Sequence, residues 1–170
     1  PESWAKVHRL RYEHDAVMVG GGTVRADDPQ LTIRMSRQKK SLLRIVCDTS
    51  LSVSSTARLF SAQDPILIFY DKTFSGRCEA FAQHGQLRCV PVPVNGEGQL
   101  SLSHMVQELW ARHIRSVLVE GGGRMAASCL EAGIIDKLIL INSPRIALDK
   151  GARSVFEKNE PRGIDDFYQG

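Results

Sequence analysis

Two glycine triplets, with the charged residues around them, are where this sequence could do chemistry. The first opens the run Gly20-Gly21-Gly22-Thr23-Val24-Arg25-Ala26-Asp27-Asp28-Pro29-Gln30-Leu31-Thr32-Ile33-Arg34. Thr23 and Asp27 stand four residues apart just after an apolar stretch, a spacing at which two polar side chains can meet one ligand. Asp27-Asp28-Pro29 is also good turn chemistry, since Asp bonds its own backbone and Pro fixes the next φ. Taken alone, the turn is the simpler reading. Arg11 and Arg34 add two permanent cations suited to a phosphate group. The second triplet lies in Glu120-Gly121-Gly122-Gly123-Arg124-Met125-Ala126-Ala127-Ser128. Glycines let backbone come close to a ligand, and free amides at a helix start favour anions such as a pyrophosphate. The turn has neither the Lys-Ser/Thr of a P-loop nor the six-residue dinucleotide fingerprint, so a plain tight turn and an anion site both stand. Glu120 is costly to leave unpaired beside an apolar strand. Either an arginine of the fold or a polar ligand must hold it.

The elements that position these residues follow from hydrophobic period. Trp4, Val7, Leu10 and Arg11 fall at helical spacing, so residues 3–13 are expected to be a helix with Ser3 as a candidate N-cap. Ala16 to Val19 is a buried strand ended by a glycine turn. Strands are expected at Arg44–Asp48, at Ile66–Tyr70 after Pro65, at Leu87–Val92, at Ser116–Glu120 and at Lys137–Asn142. Pro91 and Pro93 confine the Leu87–Val92 strand to an edge or an end. Helices are expected over 75–83, over 101–112 with Leu102, Val106, Leu109 and Trp110 facing the core, and over 124–132 before Gly133. Alternation of strand and helix implies a mostly parallel sheet covered on both faces, in one domain. Both triplets then sit at the C-terminal ends of strands, the edge at which open α/β sheets bind ligands.

Composition narrows the class. The chain has 170 residues, 42% hydrophobic and 24% charged, values ordinary for a globular domain. Its 22 basic and 19 acidic side chains leave a net charge of +3, without the basic excess of a nucleic-acid binder. The basic run from Arg34 to Arg44, with Arg37, Lys39 and Lys40, is either a solvated loop or a site for a small phosphorylated ligand. Cys47, Cys78, Cys89 and Cys129 show no zinc spacing, and no structural metal is expected. No run has the length of a membrane span and no signal segment opens the chain, so a cytoplasmic protein is expected. His8, His14, His84, His104 and His113 are read as surface or packing residues. Trp4 and Trp110 are read as core or subunit-contact residues.

Leu10-Arg11, the run Val19–Arg34, Arg44-Ile45-Val46-Cys47-Asp48 and Val119-Glu120-Gly121-Gly122-Gly123 occur in an order and spacing that resembles the reductase domain of the bifunctional riboflavin biosynthesis deaminase–reductase. The likeness runs from Pro1 to Pro144 and fades after Gly151. It implies a dihydrofolate-reductase-like α/β fold, with a mostly parallel central sheet flanked by helices on both faces. It also implies reduction by NADPH of 5-amino-6-(5-phosphoribosylamino)uracil, opening the ribosyl ring to a ribityl chain. Carried onto this sequence, Arg11, Leu31 (through its backbone), Arg34 and Glu120 would hold substrate, the two arginines on its phosphate. Thr23, Asp27 and Thr49 would contact the cofactor, and Gly122, Gly123, Arg124, Met125, Ala126, Ala127 and Ser128 would wrap its pyrophosphate. Glu120 and Asp27 are the catalytic candidates, and Arg58 or Lys39-Lys40 are candidates for the cofactor's 2′-phosphate.

The family's first strand, with its lysine, and its closing strands are expected to lie outside these 170 residues. The His-x-Glu and Pro-Cys-x-x-Cys of the family's zinc deaminase do not occur here. No deaminase activity is therefore expected of these residues. Separately, the resemblance implies a homodimer and a zinc deaminase domain upstream in the same polypeptide. Two other readings stand beside it: a dihydrofolate-reductase-like enzyme for another heterocycle, and a non-catalytic nucleotide-binding or dimerisation module.

Overall fold

The computed structural model describes residues 2–34 and 40–141, the side chains of Glu2 and Ser3 excepted. Arg37, Lys39 and the end of the last expected strand at Asn142 lie outside that part; the first helix already includes Glu2, so Ser3 lies within it rather than at its N-cap. The chain falls into two compact units, Pro1–Glu120 and Gly121–Gly170.

The first unit opens with helix α1 (Glu2–Glu13), strand β1 (Ala16–Gly20), helix α2 (Gly21–Asp27) and strand β2 (Leu43–Cys47). A 3₁₀ turn (Arg58–Ser61), β3 (Ile66–Tyr70), a longer 3₁₀ segment (Lys72–Phe81) and β4 (Leu87–Pro91) follow, then α3 (Leu102–Ala111) and β5 (Val117–Val119). The strands form one sheet in the order β4-β3-β2-β1-β5, and every pairing is parallel. All five strands therefore end at the same edge, and the residues that follow them share it.

β1, β2 and β3 are near-continuous apolar runs, as strands covered on both faces must be. Val17, Val19, Val46 and Ile68 pack on one side with Leu31, Leu59, Phe60 and Phe81, while Ala16, Met18, Ile45, Leu67 and Phe69 are also buried. Burying each Val, Leu or Ile stabilises by about 1.5–3 kcal/mol before conformational entropy is counted. Arg44 is the exception inside β2. It is 0% exposed, and its guanidinium donates to the carbonyls of Leu59, Ala62 (3.2 Å) and Asp64 (2.7 Å). Burial pushes its pKa down, and Asp64 opposes that shift. The buried cation thus ties down the chain that leads into β3.

Several expectations change. The first glycine triplet is not a loose turn: β1 closes on Gly20 and α2 begins at Gly21. Glycine's poor helix propensity hid this helix in the sequence. The element expected over 75–83 is the 3₁₀ segment Lys72–Phe81, kinked at Phe74. α3 buries Met105 and Leu109, whereas Val106 and Trp110 face outward, Trp110 being 64% exposed. Trp110 lies under the Arg115 guanidinium, 3.7 Å from its ring centroid. Trp4 is 68% exposed, so neither tryptophan belongs to the core. β5 is half-buried rather than buried, in keeping with its place at the end of the sheet order. Lys40 donates to the carbonyls of Tyr12 (2.8 Å) and His14 (2.7 Å), where it caps α1.

In the second unit, Gly121 (φ 69°) and Gly122 (φ 80°) turn left-handed into helix α4 (Gly123–Glu131). Left-handed Gly133 follows it. The strand expected from Lys137 does not form over residues 137–141. An apolar run becomes a strand only with a ladder partner, and Leu138, Leu140 and Ile141 stay exposed. Among the described residues no helix is long and apolar enough to cross a membrane.

Candidate functional site

The C-terminal edge of the sheet is built around one ion pair. Arg11, near the end of α1 and 7% exposed, meets Glu120, the residue after β5, in a two-pronged contact. Its Nε donates to Oε1 at 2.7 Å and its Nη2 to Oε2 at 2.6 Å. The Nη1 donates to the Thr32 carbonyl at 2.9 Å. Glu120 is placed by the sheet, since its amide donates to the Met18 carbonyl at 2.9 Å. The question of what holds Glu120 thus has its answer within the fold. Planar fork-to-carboxylate pairing fixes the orientation of both partners.

The segment after α2 touches this pair through the Thr32 carbonyl. Asp28 ends the helix in a left-handed conformation (φ 41°), and its Oδ1 accepts the Arg58 amide at 2.8 Å. Leu31 is also left-handed (φ 52°), a strained conformation for a branched residue. Its side chain is held in the core. Arg34 is exposed; its guanidinium donates to Gln30, and its amide donates to His8 Nδ1 at 3.3 Å. Arg11, Glu120, Leu31 and Arg34 therefore come together. His8, read from sequence as surface or packing, joins them. Its pKa is lowered by burial and by the Arg11 and Arg34 cations, while the Thr32 carbonyl and Glu120 act the other way.

Thr23 and Asp27 share one face of α2 one turn apart, Thr23 half-buried and Asp27 exposed. α2 can sit against the end of β2 only because residue 21 is glycine: a Cβ there would lie 2.8 Å from Asp48 Cγ. Buried Asp48 accepts the Val53 amide (2.7 Å) and the Ser52 hydroxyl (3.0 Å), shaping the loop that begins with Thr49. Arg25 lies 3.6 Å from the same carboxylate. Arg58 is exposed beside the end of α2, whereas Lys40 is taken up by α1. In the second unit the cap residue of α4 is Gly122, which has no side chain to offer; among the described residues the first amides of the helix keep their donor capacity, as an anion requires.

The model of the RibD C-terminal domain family matches residues 1–164. A 2,5-diamino-6-ribosylamino-4(3H)-pyrimidinone 5′-phosphate reductase of Archaeoglobus fulgidus is 34% identical over 151 residues, covering 81% of this chain and 65% of that protein. Riboflavin biosynthesis protein RibD of Aquifex aeolicus is 30% identical over 167 residues, 95% of this chain and 45% of that protein. The solved structure of the Saccharomyces riboflavin biosynthesis reductase Rib7 superposes with a TM-score of 0.60 at 25% identity, over 78% of this chain and 60% of that one. The chain thus spans less than two thirds of the length of these relatives.

Proposed function

The chain belongs to the family of RibD C-terminal domains, with their dihydrofolate-reductase-like α/β fold, and on that premise we propose that it reduces the ribosyl group of a 5′-phosphorylated ribosylaminopyrimidine with NADPH in riboflavin biosynthesis. The observation that carries this reading is the grouping of Glu120, Arg11 and Arg34 at the C-terminal edge of the sheet. A carboxylate and cations held together suit an aminosugar at one end and a phosphate at the other.

When bound, the cofactor supplies hydride chemistry; the residues supply placement and charge. Arg34, exposed and at the open end of the cluster, takes the 5′-phosphate. Among the described residues, Arg11 leaves one N–H on each terminal nitrogen without a partner, to contribute beside it. Glu120, fixed by Arg11, faces the anomeric carbon, where opening of the ribosyl ring develops positive charge at the C1′–N bond. A carboxylate already oriented there stabilises that charge without reorganising. The left-handed backbone at Leu31 offers the substrate its polar groups. Thr23 and Asp27, whose side chains make no hydrogen bond among the described residues, line the nicotinamide nucleotide, with Asp27 beside the reacting centre. Thr49 touches the same cofactor, and Arg58 is the candidate for its 2′-phosphate. Within the second unit, the segment from Gly122 to Ser128 takes the pyrophosphate, through the amides of Gly123, Arg124 and Met125 that precede the first helical bond, from Ala126 to the Gly122 carbonyl. The family match runs through both units, which supports reading residues 1–170 as one reductase domain. By the same kinship the protein acts in the cytoplasm as a homodimer, and relatives named RibD support a deaminase domain in the same polypeptide.

Two substrates share the chemistry. One is 5-amino-6-(5-phosphoribosylamino)uracil; the other is its 2,5-diamino counterpart, favoured by the name of the Archaeoglobus relative. The test is cofactor consumption by the purified protein with each compound, with and without its 5′-phosphate. Oxidation of NADPH only with a phosphorylated ribosylaminopyrimidine is expected. Consumption that ignores the phosphate, or that needs another heterocycle, contradicts the assignment.

A further inference from the structure

Residues 32–34 belong to no strand, yet one carbonyl and one amide of their backbone are met by side chains of α1. His8 and Arg11 stand three residues apart on that helix, so they share a face. Arg11 donates to the Thr32 carbonyl, and His8 accepts the Arg34 amide. The two side chains of α1 thus do for this segment what a neighbouring strand would do. We propose that His8 is a positioning residue for substrate: by accepting the Arg34 amide it holds the Thr32–Arg34 segment, and with it the Arg34 guanidinium, where the substrate's phosphate is taken. This rests on the functional reading above.

The chemistry of the contact makes it conditional. Nδ1 can accept the amide only while it carries no proton, which places the hydrogen of the neutral ring on Nε2. The groups that face the ring are Arg11 on its own helix, Arg34 and the Thr32 carbonyl on the segment after α2, and Glu120 after β5. The two cations and burial outweigh the carbonyl and the carboxylate, so the ring stays neutral below the ordinary imidazole value of 6.5. Once protonated, Nδ1 sets an N–H against the Arg34 N–H and adds positive charge beside two guanidinium groups. The clamp then opens.

The experiment compares wild type with His8→Leu, which removes the acceptor, and with His8→Asn, whose Oδ1 restores an acceptor that does not titrate. His8→Leu is expected to raise KM for the phosphorylated substrate roughly two- to tenfold, the range one hydrogen bond is worth. KM for NADPH and kcat should change far less, and His8→Asn should recover the loss. As pH falls below 6.5, wild-type KM should rise more steeply than that of His8→Asn, in which the substrate's own phosphate still titrates but the acceptor does not. In the protein without substrate, the Arg34 amide resonance should follow one titration in wild type and none in His8→Asn. Equal losses in kcat and both KM values, parallel pH profiles, or an Arg34 amide indifferent to His8→Leu overturn the proposal. A wild-type protein inactive on every ribosylaminopyrimidine contradicts the functional reading instead, while the amide titration still judges the clamp.

Discussion

Arg11 spends three of its donors on two groups that are far apart in sequence, the Glu120 carboxylate and the Thr32 carbonyl. Removing one partner of such a pair leaves the other desolvated and uncompensated, which costs roughly 3–5 kcal/mol in a fully buried pair. Here the Glu120 side chain keeps 21% of its exposure, and about 2 kcal/mol is the expected loss for Arg11→Met in urea unfolding. Arg11→Lys should recover only part of it, because an ammonium cannot match both carboxylate oxygens. Arg34 is different in kind. Its side chain is exposed, so Arg34→Ala should leave stability within about 0.5 kcal/mol. Its KM for substrate should rise roughly tenfold or more, with KM for NADPH nearly unchanged; an equal rise in both would oppose the phosphate assignment. The charges of Arg11, Arg34 and Glu120 were legible in the sequence as candidates. Their pairing was not, because a bond across 109 residues leaves no local pattern. His8 was illegible for the same reason: its partner is a backbone amide 26 residues away.

Gly21 sets how closely α2 approaches the end of β2, and with it where Thr23 and Asp27 stand. Gly21→Ala would drive its methyl into Asp48, and overpacking of this kind costs about 1–3 kcal/mol. Gly20, with nothing within 4 Å of a Cβ, is the control: Gly20→Ala should melt close to wild type while Gly21→Ala melts lower. A second junction ties β1 to β5 at their starts. Asp15 accepts the amides of Arg115 (2.9 Å) and Ser116 (3.0 Å). The Arg115 amide, with smaller help from Ser116 and Lys40, holds its carboxyl below the ordinary 3.8, against a lesser opposing effect of burial. A carboxylate depressed in the folded state stabilises at all pH values above 3.8 and loses that contribution as pH falls through the folded value. Acid unfolding of Asp15→Asn should therefore show a shallower pH dependence below 3.8 than wild type; identical slopes would remove Asp15 from the account of acid stability. Strand positions could be read from apolar runs because β1 to β3 are buried on both faces. α2 could not, since its first two residues are glycine and its face is defined by a neighbour, Asp48, that sequence does not place beside it.

At the scale of the molecule, alternation of strand and helix correctly implied a parallel sheet, and the order of motifs correctly implied the family. What periodicity missed was partnership. Val106 and Trp110 follow helical spacing as well as Leu109 does, yet they face outward. The run from Lys137 has the composition of a strand but no ladder over residues 137–141. Hydrophobic period tells which face is apolar, and only packing tells whether that face is covered. The claim that joins all three scales is reduction at the sugar beside Glu120. It is tested most directly by supplying NADPH with deuterium at the transferable position, together with the phosphorylated ribosylaminopyrimidine, and locating the label in the product. Deuterium on C1′ of a ribityl chain is the expected result; label on the pyrimidine ring, or a product with its ribosyl ring still closed, would contradict it.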